Sequence, residues 1–218
     1  MAVEAVIFDF DGLLMDTESP MLDSWRNEWR QHGLDLDVDT FFADHGGDVT
    51  PERYARLARA VGPDFDQAAS HARRIAYRDR LLATLGLAPG IAGWLDQAQE
   101  LGIRLAVASS SPGSWVRGLL AGVHCLDRFE LMACGDEVSQ PKPDPGVYLL
   151  ALERLGLPAA RVIAVEDAPH GVAAAQAAGM RCVAIPNRHA SPARFAAADL
   201  LLTSAAEAGL EQVLARLG

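Results

Sequence analysis

The sequence predicts an α/β fold in which a parallel β-sheet is covered by helices on both faces, with an all-helical segment inserted after the first strand. Short, continuous apolar runs end in polar turns, which is typical of strands buried on both faces. From about residue 90 onwards these runs alternate with segments of 3.6-residue periodicity. That alternation predicts parallel strands joined by helical crossovers.

Six apolar runs are the candidate strands. They occur at residues 5–8, 104–108, 131–134, 161–165, 182–185 and 200–202, and those at 131–134 and 200–202 carry the weaker pattern. Asp9, Ser109 and Glu166 each directly follow one of these runs. Because the carboxyl ends of parallel strands meet at one edge of a sheet, we expect these polar residues to lie near one another.

Five segments between the runs have helical spacing. They lie at about residues 91–101, 114–122, 145–155, 171–178 and 205–217. The last is preceded by Ser204 and contains Glu207, the spacing of a capping box in which each side chain satisfies a free backbone N–H. We therefore expect the final helix to begin at residue 205.

Residues 15–87 interrupt the alternation and predict an all-helical insert. Three apolar faces are expected, formed by Met21, Leu22, Trp25 and Trp29, by Tyr54, Leu57, Ala58 and Val61, and by Ala68, Ala72, Ile75, Leu82 and Leu85. The two tryptophans are interpreted as core residues. The arginines of the insert, including Arg73 and Arg74, are expected on a solvated face.

Composition limits the class of protein. Half of the 218 residues are hydrophobic, which excludes a disordered chain. The formal charge of −10 argues against a nucleic-acid partner, and no apolar stretch approaches the roughly 20 residues that span a bilayer. We expect a cytoplasmic protein with no membrane partner, a monomer or a weak homodimer. Cys125, Cys134 and Cys182 show no CxxC pairing and are expected to be reduced thiols.

Carboxylates dominate the predicted sheet edge. Asp9 and Asp11 lie two residues apart after the first strand, and Glu166 and Asp167 follow another buried strand. Three or four carboxylates at one edge cannot all remain ionised without compensation. Oxygen ligands in this number suit Mg²⁺, which is the predicted cofactor.

Two further residues could complete an anion-binding site. The hydroxyl of Ser109 and the backbone N–H groups beside it could hold an anion, although serines after strands are also common helix caps. Lys142 lies between two prolines, which fix the backbone and could hold its ammonium toward the acids. A solvated surface lysine is the alternative interpretation.

These residues resemble the four motifs of the haloacid dehalogenase superfamily, in the branch that contains β-phosphoglucomutase and many small-molecule phosphatases. The first motif is FDFDGLLMDTE at residues 8–18, the second is Ser109, the third is KPDP at 142–145 and the fourth is EDAPHG at 166–171, followed by AAQAAGM at 174–180. The resemblance covers the whole chain. It implies a Rossmann-like core of residues 1–14 and 88–218 and a helical cap of residues 15–87 that closes over the core and selects the substrate.

The resemblance also implies roles for individual residues. Asp9 would be the nucleophile that forms an aspartyl-phosphate, and Asp11 the general acid and then the base that activates water. Mg²⁺ would be held by the Asp9 carboxylate, the Asp11 backbone carbonyl and Asp167, with Glu166 ordering a bound water. Ser109, with Ser110 beside it, and Lys142 would bind the phosphoryl group.

The leading hypothesis is a Mg²⁺-dependent phosphatase acting on a small phosphorylated metabolite. A mutase of the β-phosphoglucomutase type is the alternative, but those enzymes have a histidine where this chain has Met21 and a Ser-Arg cap loop where it reads HGGDVT at residues 45–50. A dehalogenase would lack Asp11, and a catalytically silent binding protein would be expected to lack a motif residue. His45 and Asp48 are candidate substrate contacts, because a Gly-Gly loop between cap helices can approach the active site.

Overall fold

The computed structural model describes residues 3–38, 41 and 49–217. The chain divides into two compact units. We call Met1–Asp16 together with Gly86–Gly218 the core unit, and Thr17–Leu85 the helical unit.

The core unit is built on six parallel strands. They are β1 Ala5–Phe8, β2 Arg104–Ser109, β3 Leu131–Cys134, β4 Val162–Glu166, β5 Arg181–Ala184 and β6 Leu200–Leu201, in the order β3-β2-β1-β4-β5-β6. The described part of this unit has five α-helices, which are α4 Ile91–Glu100, α5 Gly113–Gly122, α6 Gly146–Leu155, α7 Pro169–Ala177 and α8 Leu210–Leu217. The predicted α/β fold is confirmed.

Alternation along β1 shows that helices cover both faces of the sheet. Ala5 and Ile7 belong to an apolar cluster that includes Tyr148 of α6 and several residues of α7. Phe8 lies 6.4 Å, between ring centroids, from Trp94 of α4. Since successive strand residues point to opposite faces, a strand buried on both sides must be apolar throughout, and every residue of β1 is fully buried.

The final helix begins later than predicted. It starts at Leu210, and the residues that were expected to form a capping box instead form a turn. The hydroxyl of Ser204 accepts a hydrogen bond from Ala206 N at 3.1 Å, while the Glu207 carboxylate accepts from Thr203 N at 2.8 Å. Both side chains therefore satisfy backbone N–H groups, but those of a turn that precedes the helix.

The helical unit contains α1 Glu18–Gln31, α2 Thr50–Val61 and α3 Gln67–Leu82 among its described residues. Its apolar cluster includes Leu22, Trp25, Tyr54 and Leu57, so the first two predicted faces are confirmed. None of the helices in the described chain is long and apolar enough to cross a membrane.

The predicted apolar face of α3 was correct for Leu82, which is buried, and wrong for its first two residues. Ala68 and Ala72 are exposed, whereas Ser70 and Arg74 are buried. Arg74 is only 3% exposed, because its guanidinium lies 4.5 Å from the Trp25 ring centroid and its Nε donates a hydrogen bond to the Tyr54 hydroxyl at 2.8 Å. Aromatic faces and hydroxyls can hold a guanidinium that sequence spacing assigns to solvent.

The three cysteines are free thiols, as expected. Cys134 and Cys182 are buried at the ends of strands, and burial raises the pKa of the Cys134 thiol to about 11. Both side chains thus behave as small apolar residues rather than as nucleophiles.

Candidate active site

The strand order brings the predicted site residues to one edge of the sheet. β1 lies between β2 and β4, and Phe8 at its end pairs with Val107 on one side and Val165 on the other. Asp9 continues this pairing, since its backbone N–H donates to Val165 O at 2.9 Å. The polar residues that end or follow the three central strands are Asp9, Asp11, Ser109, Glu166 and Asp167.

Lys142 lies at the centre of a buried cluster of charges. Its Nζ is 2.6 Å from Asp9 Oδ1, 2.6 Å from Glu166 Oε1 and 2.8 Å from the carbonyl oxygen of Ala108. An ammonium group has three N–H donors, so all three are engaged with the protein. The residue is 4% exposed, and the solvated-lysine interpretation is therefore excluded.

The cluster carries more negative than positive charge. Burial raises the pKa of Asp9 to about 8 against the opposing attraction of Lys142, and the neighbouring Glu166 carboxylate raises it further. Burial alone would lower the pKa of Lys142, but Asp9 and Glu166 raise it above its usual value. The lysine stays an ammonium, and its one positive charge does not compensate the surrounding carboxylates.

Three of the carboxylates could hold a metal ion together. Asp9, Glu166 and Asp167 are all buried, and each offers an oxygen such that the three atoms lie within 4.8 Å of one another. A Cβ on Gly12 would overlap Asp167 Oδ2, and one on Gly171 would overlap the Glu166 carboxylate. The backbone approaches both acids at residues without a side chain, which leaves a compact oxygen-lined site of the kind that hard divalent cations occupy.

Asp11 has partners of its own. Its Oδ2 accepts a hydrogen bond from Ser111 Oγ at 2.6 Å, and its Oδ1 accepts one from the indole Nε1 of Trp115 at 2.9 Å. The two aspartates of the first motif are therefore held differently, Asp9 by an ammonium and Asp11 by two neutral donors.

The serines after β2 are held by the loop that follows the strand. Ser109 is 1% exposed, and its hydroxyl accepts a hydrogen bond from the backbone N–H of Ser111 at 3.0 Å. Ser110 is exposed, and a Cβ on Gly135 would overlap its carbonyl oxygen, so the loops after β2 and β3 are in close contact. His45 and Asp48 lie outside the described residues.

Several residues at the site were not predicted. Tyr148 donates a hydrogen bond to Glu166 Oε1 at 2.6 Å, and the side-chain amide of Asn187 donates to Asp167 Oδ2 at 2.7 Å. Ser111 and Trp115 hold Asp11. Asn187 could have been found from its position just after a strand, but Trp115 and Tyr148 lie on helices and carry no such signal.

The amino-acid composition distinguishes Lys142 from the other basic residues. Lys142 is the only lysine among 19 basic residues, all others being arginine. A compact ammonium can donate three diverging hydrogen bonds at the end of a thin stem, which a planar guanidinium cannot do in the same space. The single lysine of an arginine-rich chain is therefore a candidate for a position that fits a compact ammonium and not a planar guanidinium.

Comparison with known proteins places this arrangement in a family. The sequence profile of haloacid dehalogenase-like hydrolases matches residues 6–185. A protein named CbbY from Rhodobacter capsulatus is 37% identical over 212 residues, which cover 91% of this chain and 92% of that protein. A phosphorylated carbohydrates phosphatase from Thermotoga maritima is 31% identical over 181 residues, 82% of this chain and 82% of that protein.

A solved structure supports the same assignment. The crystal structure of CbbY from Rhodobacter sphaeroides in complex with phosphate has a TM-score of 0.75 to this chain at 33% identity, and covers 96% of this chain and 98% of that one. The profile match spans most of the sequence, and the similarity to CbbY extends over nearly the whole of both chains. The chain is a member of the haloacid dehalogenase-like hydrolase family.

Proposed function

We propose that this hydrolase is a Mg²⁺-dependent phosphatase that releases inorganic phosphate from a small phosphorylated metabolite through an aspartyl-phosphate on Asp9. The observation that carries the proposal is the buried cluster in which one ammonium, Lys142, contacts both Asp9 and Glu166 at 2.6 Å while Asp167 adds a further carboxylate. Such an excess of buried negative charge would be costly unless a cation joins it. A site that takes a cation and then an anionic ester fits this charge balance.

In the first step a carboxylate oxygen of Asp9 forms a bond to phosphorus and the bond from phosphorus to the ester oxygen breaks. The ester oxygen leaves with the electron pair of that bond and takes a proton from the carboxylic acid of Asp11, so the alcohol departs neutral. Lys142 offsets the repulsion between the Asp9 carboxylate and the incoming phosphate. Ser109 and Ser110 are proposed to bind phosphoryl oxygens.

In the second step water attacks the phosphorus of the aspartyl-phosphate. Asp11, now ionised, takes the proton of that water, and the bond between phosphorus and the Asp9 oxygen breaks. Inorganic phosphate leaves and the carboxylate of Asp9 is restored. Asp11 ends the cycle protonated, as it began.

The residues fit a Mg²⁺ ion. The proposed ligands are the carboxylates of Asp9 and Asp167 and the backbone carbonyl of Asp11, with Glu166 ordering a bound water. When bound, the ion supplies Lewis-acid stabilisation of the charge that develops on the phosphoryl oxygens. The protein's own contribution is to hold Asp167, through Asn187, and Glu166, through Tyr148 and Lys142, in fixed orientations.

For the substrate we propose a phosphorylated carbohydrate. The support is that one relative is named a phosphorylated carbohydrates phosphatase. We assign the helical unit the role of a cap that selects the substrate, as the resemblance of residues 15–87 implies.

The test is release of inorganic phosphate from 4-nitrophenyl phosphate with Mg²⁺ and with a chelator, followed by a panel of sugar phosphates. We expect Mg²⁺-dependent release from the aryl ester and faster release from at least one sugar phosphate. Absence of release from every ester would favour a silent binding protein. Phosphorus NMR of β-glucose 1-phosphate gives the remaining distinction, because conversion to glucose 6-phosphate faster than phosphate appears would establish the mutase instead.

A further inference from the structure

The side chain of Asp11 is bound at both of its oxygens. Ser111 Oγ contacts Oδ2 at 2.6 Å and Trp115 Nε1 contacts Oδ1 at 2.9 Å. Asp11 is only partly buried. These two hydrogen bonds restrain the direction in which its carboxylate points.

Both donors are themselves held by the loops at the sheet edge. The backbone N–H of Ser111 donates to the buried Ser109 hydroxyl at 3.0 Å, and its carbonyl oxygen accepts from Gly135 N at 3.0 Å. Trp115 lies in the first turn of α5, where Gly113 N donates to Asp136 Oδ1 at 2.9 Å. The orientation of Asp11 therefore depends on the loops that follow β2 and β3.

The chemistry of the two donors suits a residue that alternates between acid and base. An indole N–H can only donate, so its bond to Oδ1 does not depend on whether Asp11 is ionised. A serine hydroxyl can donate to a carboxylate or accept from a carboxylic acid, so Ser111 stays bonded in both states.

We propose that Trp115 and Ser111 are positioning residues that fix the carboxyl group of Asp11 for proton transfer to the leaving oxygen. The inference rests on the proposed function, because it assigns the two residues to the general acid of that reaction. Without them Asp11 loses two hydrogen bonds that restrict its rotation between staggered side-chain conformations, and proton transfer depends on the orientation of the acid.

The test compares two esters that differ in their need for an acid. Phenol, with a pKa of about 10, is a poorer leaving group than 4-nitrophenol and gains more from protonation. The quantity measured is kcat/KM, which reports the barrier to the first irreversible step. For Trp115→Phe we expect the ratio of kcat/KM for phenyl phosphate to that for 4-nitrophenyl phosphate to fall about tenfold, part of the roughly hundredfold or greater effect of a general acid.

Trp94→Phe is the matched control. It also removes an indole N–H bond, the one that Trp94 makes to Ala208 O at 2.8 Å, but inside the core. Its ratio should equal that of the wild type. In an Asp11→Asn background, adding Trp115→Phe should leave the ratio unchanged, since the acid it positions is already gone.

The outcomes separate the two proposals. A wild-type protein that releases phosphate from neither ester overturns the proposed function and this inference with it. An active enzyme in which Trp115→Phe loses the same factor on both esters overturns the inference alone, as does an equal fall of the ratio in Trp94→Phe.

Discussion

The two units bury charge in opposite ways. In the helical unit the fully buried carboxylate of Glu28 is matched by Arg73, with Nη2 at 2.6 Å from Oε1, and the buried Arg74 is held by the Tyr54 hydroxyl and the Trp25 ring. In the core unit three buried carboxylates lie together, and the ammonium of Lys142 contacts two of them, Asp9 and Glu166.

The charges of the helical unit are compensated within the fold, whereas the excess carboxylates of the core unit are suited to bind a cation. A buried carboxylate with a guanidinium partner is compensated within the folded chain, whereas an uncompensated buried carboxylate lowers the stability of the fold until a cation joins it. The pKa of Asp9, raised to about 8 mainly by burial, records that imbalance. We therefore expect substitutions in the core cluster mainly to lower activity, and substitutions at the buried charges of the helical unit mainly to lower stability.

The largest effect is expected for Asp9→Asn. Removing the proposed nucleophile should lower phosphate release at least about a thousandfold, a barrier increase of about 4 kcal/mol, while the melting temperature without metal holds or rises because one excess carboxylate is gone. Phosphate release and thermal unfolding measure the two effects. Asp96→Asn, at a surface ion pair with Arg128, is the control. Activity within about tenfold of the wild type would contradict a covalent role for Asp9.

The next effect tests the helical unit. Arg73→Met should lower the free energy of unfolding by about 3 kcal/mol, because it leaves the carboxylate of Glu28 buried without its guanidinium. Glu28→Gln should cost less, since the Arg73 side chain is 46% exposed and can be solvated. Urea unfolding of both variants provides the comparison. If Glu28→Gln proves the more damaging, the pair does not stabilise the unit in the way described.

Magnesium binding should change how the stability of the protein depends on pH. The pKa of Asp9 is 3.8 in a solvated chain and is raised to about 8 by burial in the folded protein, so between these values the folded state binds the extra proton and the metal-free protein loses stability as pH rises. The proposed Mg²⁺ site requires Asp9 to be ionised, so stabilisation by the metal, about 2.7 kcal/mol at 100 times Kd, should grow towards pH 8. Melting temperatures with Mg²⁺ and with chelator from pH 5 to 8 give the measurement, and the trend should disappear in Asp9→Asn.

The smallest effect is expected for Tyr148→Phe. The hydroxyl donates to buried Glu166 Oε1 at 2.6 Å, and losing a hydrogen bond to a charged group should cost about 1.5 kcal/mol of stability. Because Glu166 is then less well oriented, we also expect Mg²⁺ affinity to fall about tenfold. Magnesium titration followed by thermal shift measures both. Tyr77→Phe in α3 is the control, and an unchanged affinity in Tyr148→Phe would show that the remaining partners of Glu166, Lys142 and the backbone N–H of Asp167, are enough to orient it.

The sheet was predictable because burial on both faces requires uninterrupted apolar strands, as in β1. The acids of the site were predictable because they end those strands. The start of the last helix was not, since Ser204 and Glu207 satisfy backbone N–H groups equally well in a turn. Short polar side chains bind nearby backbone in several conformations, so their spacing alone does not fix one.

The contacts that orient the site could not be predicted from the sequence. Trp115 is 104 residues from Asp11, and a tryptophan in a first helical turn looks like any other amphipathic residue. Arg74 was expected in solvent from the spacing of the arginines along its helix. That spacing carries no information about the aromatic ring of Trp25, which belongs to another helix and covers the guanidinium. Both depend on packing between distant segments.

The lone lysine has a practical consequence for handling the molecule. Its only side-chain amine is engaged in three hydrogen bonds and is 4% exposed, so the surface presents guanidinium groups but no lysine. Acylating dyes and amine cross-linkers need an accessible neutral amine, and the raised pKa of Lys142 keeps that nitrogen protonated. Reagents of this class should leave the side chains of the folded protein unlabelled, and the appearance of a lysine adduct would report that the core had opened.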